Sequence, residues 1–149
     1  MEKEKLEVKV TQIFNKLNIQ YEPIEYEDDD LNYYIKVDGA KIIKGMGMLD
    51  VLLYFSTEIP KCSLMIGNIY KFEEGIKDRA LEIANNINSK LNSGRVIVHR
   101  ESMQLIFLDS EEEDSFEKID DKLVTSLIDS MYVAIAVIFN ETRGYKHEG

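Results

Sequence analysis

Apolar side chains recur at helical spacing in three stretches of this chain and alternate or run unbroken in several others. From residue 3 to residue 18, Leu6, Val10, Ile13, Phe14 and Leu17 form one stripe with charges opposite, predicting a helix that stops at Asn18. Tyr21 to Tyr26 is a short extended piece whose Pro23 makes it an edge strand or a linker. Asp28-Asp29-Asp30 reads as a turn or exposed loop. Asn32 to Asp38 has strand composition, with Tyr33, Ile35 and Val37 alternating with Tyr34 and Lys36, and Asp38-Gly39 is a turn signal. Ala40 to Ile43 fits a return strand or an irregular connection, and Gly45 and Gly47 break any regular helix there. Met48 to Thr57 holds the near-continuous run Leu49, Val51, Leu52, Leu53, Tyr54, Phe55, which predicts a central strand covered on both faces. After the turn at Pro60, Cys62 to Tyr70 supplies another strand, with a bulge at Gly67-Asn68.

In the second half, Ile76, Ala80, Ile83, Ala84, Ile87 and Leu91 predict a helix over 73–92, with Gly94 in the left-handed position that ends it. A hairpin follows, Arg95–Arg100 against Met103–Asp109, turning near Glu101-Ser102; Glu111 to Asp114 reads as a solvated loop. Asp114 with Glu117, or Asp120 with Asp121, can cap the last helix, about Asp121 to Thr142. That helix carries two adjoining stripes. Leu123, Leu127, Met131, Ala134 and Ile138 make one, and Val124, Ile128, Ile135 and Phe139 make the other. Two stripes exceed what one sheet face normally covers. Either the helix is a central core element, the reading that apolar stripes usually support, or another subunit buries part of it. In the second case Met131, Ile135 and Phe139 form a protein interface. The tail after Asn140 is expected to fray. The element order is α-β-β-β-α-β-β-α in one domain, residues 1–149: an α+β fold with one antiparallel sheet packed against helices.

Composition narrows the class. A chain of 149 residues, 44% hydrophobic and 31% charged, is globular rather than disordered. Its longest apolar run, Met131 to Phe139, falls short of the roughly 20 residues that span a bilayer. The charged start Met1-Glu-Lys-Glu-Lys has no apolar secretory segment, and the single Cys62 permits no internal disulfide. A cytoplasmic protein is expected. The net charge of −10 repels phosphate backbones and anionic lipid, so neither nucleic acid nor a membrane is an expected partner. The charge suits a basic protein partner or, more simply, solubility.

The chemical motifs fail one by one. Asp28-x-Asp30-x-Asn32 opens like a calcium loop, but Tyr33 and Gly39 stand where the turn glycine and bidentate glutamate are required. Gly45-Met46-Gly47 lacks the residues of a phosphate loop. His99, His147 and Cys62 are too scattered for a metal site, and His99 reads as a half-buried strand residue. Cys62 opens an apolar strand and reads as a small core residue. No serine elbow occurs, and carboxylates, though abundant, show no convergence. No catalytic, metal-binding or cofactor-binding residue is assigned, and no cofactor is expected. Asn85, Asn86, Asn88 and Asn92 are mediocre helix formers clustered at one helix end. Such amides either bond neighbouring loop carbonyls, the commoner use, or meet a partner's backbone.

Ile87-Asn88-Ser89-Lys90-Leu91-Asn92-Ser93-Gly94-Arg95, leading into the hairpin Val96 to Leu108, resembles the YbjN family of bacterial sensory transduction regulators, whose members share the type III secretion chaperone-like fold. The chain departs from that family in its Gly-Met-Gly segment around Met46 and its very apolar helix end at Met131–Phe139. The resemblance implies a non-enzymatic protein-binding domain, a regulator or chaperone-like adaptor and a homodimer, that binds extended client segments. Strand addition at a sheet edge, or an apolar groove, would be the means. The competing expectation is a small-molecule sensor or small enzyme whose site is assembled from residues distant in sequence.

Overall fold

Leu6, Val10, Ile13 and Phe14 are buried along one side of the first helix, α1 (Lys3–Leu17), which ends at a left-handed Asn18 with φ 57°. The structure, a computed structural model, describes residues 1–38 and 50–143. The strands are β1 (Glu22–Ile24), β2 (Asn32–Asp38), β3 (Asp50–Ser56), β4 (Lys61–Lys71), β5 (Arg95–His99) and β6 (Gln104–Glu112). A 3₁₀ segment, Glu74–Arg79, runs into α2 (Ala80–Asn88), and a short 3₁₀ turn, Phe116–Lys118, precedes α3 (Asp121–Thr142). The six strands form one antiparallel sheet in the order β1-β2-β3-β4-β6-β5. The α+β class and single antiparallel sheet therefore stand as expected. Pro23 lies in a true edge strand, so the sheet has one strand more than the sequence pattern counted. The expectations for residues 39–49, including the Gly45 and Gly47 break, lie outside the described residues.

Strand register divides the side chains into two faces, because successive residues point to opposite sides of a sheet. Val37, Val51, Ile66, Phe107 and Val96 line up across five strands, and Ile35, Leu53 and Leu64 line up beside them. All are buried, and with the buried faces of the helices they make one core. Side chains of this kind each stabilise the fold by about 1.5–3 kcal/mol on burial. Among the described residues, only this face packs against the helices. Leu52 and Tyr54, on the other side of β3, are half-buried and outside the core cluster, so the expected burial of this strand on both faces is corrected.

Other boundaries shift for identifiable reasons. The helix expected over 73–92 is a 3₁₀ segment followed by nine residues of α-helix, closing at Asn88 rather than beside Gly94. Gly94 does adopt a left-handed backbone, φ 76°, but it serves the close approach of Phe107. A Cβ there would lie 2.5 Å from Phe107 Cζ and 2.8 Å from the Leu108 carbonyl oxygen. Strand β6 continues through Glu111 and Glu112, which pair with Cys62 and Lys61, so those two acids are strand residues rather than loop. The bulge appears as expected: register shifts between Ile66 and Tyr70, with Asn68 at φ 60°. Asp120 caps α3, its carboxylate accepting from the Leu123 amide at 3.1 Å.

The sheet's edges are closed by side chains. At β5, Asn88 Oδ1 accepts from the Val96 amide at 2.7 Å and Asn88 Nδ2 donates to the Val96 carbonyl at 3.0 Å. One amide side chain thus occupies both backbone groups that a further strand would use at Val96. At the opposite edge, β1 is three residues long and contains Pro23, which has no amide to donate.

Candidate protein-binding face

The uncovered side of the sheet is the most distinctive surface of the described chain. One row crosses all six strands: Glu22, Lys36, Leu52, Met65, Leu108 and Arg95. A second contains Tyr34, Tyr54, Ser63 and Ser110, and Ile97 faces Ile106 beside the first. Leu52, Met65, Ile97, Ile106 and Leu108 are half-buried, and none belongs to the core or packs against it. Five aliphatic side chains therefore share one open face. From β2 to β5 these two rows contain no acid, and the acids of this face, Asp38, Asp50 and Glu112, stand in the rows on either side of them.

Aromatic rings extend the patch. Tyr26 meets Tyr34 edge-on with centroids 4.5 Å apart, and Tyr34 and Tyr54 lie 5.5 Å apart. Tyr34 is fixed by its hydroxyl, which donates to Asp29, while Asp29 also accepts from the amides of Leu31 at 2.9 Å and Asn32 at 3.2 Å. The Tyr34 hydrogen bond is the main cause that holds the Asp29 carboxyl below its ordinary range. The same bond to Asp29, with desolvation second, pushes the Tyr34 phenol up to about 12. Next to Tyr54 a shallow depression of about 380 Å³ is lined by Lys61, Ser63, Arg95, Leu108 and Ser110, among others. Glu22, Lys61 and Arg95 make no ion pair among the described residues.

The interface residues proposed from sequence sit elsewhere. Met131 is 0% and Ile135 4% exposed, both covered by the chain itself, and Phe139 is half-buried against the same core. The apolar side chains α3 does expose are Tyr132 and Val133, at 40% and 52%. This 22-residue helix, with a mean hydropathy of 1.7 in its most apolar window, is long and apolar enough to cross a membrane. The uninterrupted run Met131–Phe139 understates that, because Leu123, Val124, Leu127 and Ile128 ahead of it extend a longer window. Nine of its residues are buried, eight of them apolar members of the core, which accounts for its composition.

The residues with chemical potential are tied up structurally. Cys62 is fully buried, and burial first, then the nearby Glu111, pushes its thiol well above the ordinary range. His99 Nδ1 bonds Ser102 at the β5–β6 turn, where Gln104 Nε2 also donates to the same hydroxyl at 2.9 Å. This is a turn clasp on an exposed hairpin tip. A cleft of about 520 Å³ between Leu91–Ser93 and the polar side of α3 is lined by Asn92, Thr125, Ser126, Ser130 and the acids Asp121 and Asp129. Among the described residues no group of three His, Cys, Asp or Glu side chains could hold a metal. Of the clustered asparagines, Asn88 bonds backbone and Asn92 lines this cleft. The open sheet face itself was missed in sequence, although the alternation Leu52, Tyr54 on β3 and Ile106, Leu108 on β6 was there to find it.

No family model matches the chain, so the YbjN resemblance rests on the residues quoted for it. No curated protein matches its sequence. Among solved structures, it is similar to a chain of the HopA1–SchA chaperone–effector complex at 13% identity and a TM-score of 0.46, covering 95% of this chain and 92% of that one. A likeness at that level carries no argument about function.

Proposed function

We propose that this chain is a non-enzymatic protein-binding module, a cytoplasmic regulator or chaperone-like adaptor of the YbjN type, that engages polypeptide through the open face of its sheet. The observation that carries the reading is the uncovered aliphatic row Leu52, Met65 and Leu108, with Ile97 and Ile106 beside it. Contiguous exposed apolar surface is costly to leave in water and marks interaction sites. Tyrosine and methionine, both present here, are enriched in protein interfaces. Strand addition, one of the two modes expected from sequence, is disfavoured because Asn88 and Pro23 close the edges. A face-on apolar contact remains.

The test is site-specific photo-cross-linking in the source cells, with a benzophenone amino acid at Leu108 and, as control, at exposed Glu82 on the helix side. Adducts to polypeptide at 108 but not at 82 are expected. No adduct at 108, or equal adducts at both sites, would contradict the reading.

A further inference from the structure

Resting on that reading of the open face, we infer that the polypeptide it engages carries a phosphorylated side chain, whose phosphoryl group seats in the depression beside Tyr54. Small hydroxyl side chains floor this depression and longer ones wall it. Ser63 and Ser110 pair across β4 and β6, and Tyr54 pairs with Ser63 from β3. Lys61 stands two residues before Ser63, so the two share a face, and Arg95 enters from β5, where it pairs with Leu108. All of them line the same space of about 380 Å³. Ser63 carries the argument. It is only 4% exposed on a face that the helices do not pack against, yet its hydroxyl makes no hydrogen bond among the described residues. A hydroxyl so nearly removed from water costs stability until something bonds it, and the space it borders is this depression.

The groups around Ser63 select the ligand. The hydroxyls of Tyr54 and Ser110, the Lys61 ammonium and the Arg95 guanidinium also make no hydrogen bond or ion pair among the described residues. Five donors therefore border one depression, and two of them are cations. Asp109 borders it too, but its buried carboxylate accepts from the Ser93 hydroxyl at 2.9 Å and the Ser110 amide at 2.8 Å. Glu112 pairs with Lys61 across the strands on the same face, yet it makes no ion pair with it and does not line the depression. A phosphorylated side chain brings about −1.5 to −2 of charge at pH 7 and three acceptor oxygens, which matches two cations and leaves an oxygen for the hydroxyls. A carboxylate brings one charge and two oxygens and would leave one cation unmatched. Arginine grips phosphate bidentately, and lysine serves it as a point charge. The source follows from Leu108, which belongs both to the wall of the depression and to the aliphatic row with Leu52 and Met65. A chain of net charge −10 repels a free anion at long range, so contacts along that row are what a polypeptide adds and inorganic phosphate lacks.

The experiment passes a degenerate peptide library, one fixed phosphoserine flanked by random positions, over the immobilised full chain. The same library with serine or glutamate at the fixed position runs beside it, and inorganic phosphate serves as competitor. Phosphoserine peptides should be retained about tenfold or more over both controls, with aliphatic residues enriched next to the phosphoserine. Lys61→Gln and Arg95→Gln should each cut retention by about tenfold, and Ser63→Ala by about threefold, with circular dichroism confirming the fold. Lys118→Gln, away from the depression, should change nothing. Equal retention of the glutamate library, inorganic phosphate that binds as tightly as the peptides, or retention indifferent to both Lys61→Gln and Arg95→Gln would overturn the inference. If an adduct forms at Leu108 while no phosphoserine peptide is retained, the phosphoryl site is refuted and the protein-binding reading stands. Retention with no adduct at Leu108 refutes that reading and leaves only a site for phosphoryl groups. Neither adduct nor retention refutes both.

Discussion

The side chain of Asn88 stands in for a seventh strand beside Val96: it accepts from the Val96 amide at 2.7 Å and donates to the Val96 carbonyl at 3.0 Å. Removing it exposes both groups and unties α2 from β5. Asn88→Ala should lower stability by about 1–3 kcal/mol, read as a lower urea midpoint. It should also raise aggregation, since an unblocked strand edge templates pairing. Asn88→Asp keeps the acceptor but sets a carboxylate against the Val96 carbonyl, so it should not rescue. Wild-type midpoints for both variants would show that the amide does not hold this edge.

Gly94 makes a sharper prediction. Its φ of 76° disfavours any other residue, and an added Cβ would lie 2.5 Å from Phe107 Cζ, a buried ring that cannot retreat. Gly94→Ala should cost about 2–4 kcal/mol through backbone strain and overpacking together. Chemical denaturation measures it, and a loss under half the lower figure would mean that Phe107 moves freely.

Alkaline pH should weaken the fold. Tyr33 is pushed up to about 12 chiefly by burial, and Tyr34 to about 12 chiefly by its hydrogen bond to Asp29. Both phenols hold their protons more tightly in the folded chain than in the unfolded one, where the ordinary value is 10.0. Their contribution is therefore complete below pH 10 and is lost as pH rises toward 12. Tyr34→Phe should flatten the fall in thermal midpoint over that window. At the acid end Asp29 has the opposite sign: its contribution is present above the ordinary 3.8 and disappears as pH falls below it. A stability profile unchanged between pH 10 and 12 would contradict this account of the tyrosines.

Cys62, fully buried at the start of β4 with its thiol pushed up, should resist alkylation in the native chain and react only on opening. Iodoacetamide labelling followed by mass spectrometry should track added urea. Rapid stoichiometric labelling without denaturant would place the thiol in solvent.

How much of this was legible in the sequence depends on what each signal encodes. Periodicity placed α1, α3 and β2 to β6, because burial of one face imposes it; Leu6, Val10, Ile13 and Phe14 are buried as spaced. The near-continuous run on β3 misled on one point. An unbroken apolar strand looks the same whether its second face meets helices or lies outside the core, and Leu52 and Tyr54 are of the second kind. Met131, Ile135 and Phe139 carry the same ambiguity on a helix, where only packing shows that the first two are covered by their own chain. The helix end at Asn88 was hidden because Leu91 keeps the helical period after the backbone has left the helix. The role of Asn88 depends on α2 lying beside β5, and the order Glu22 to Arg95 exists only once six strands are in register. No local pattern encodes either.

The central claim, that the open sheet face is where this chain meets protein, is tested most directly by ¹³C-methyl-methionine NMR during titration with the polypeptide that cross-links at Leu108. Met65 lies on that face and Met131 in the core, so each reports one side of the sheet. The account predicts that the Met65 methyl shifts and broadens as the polypeptide is added while Met131 does not, and that Leu108→Glu suppresses the change. A Met65 signal indifferent to the added polypeptide, or one that moves only as Met131 does, would contradict it.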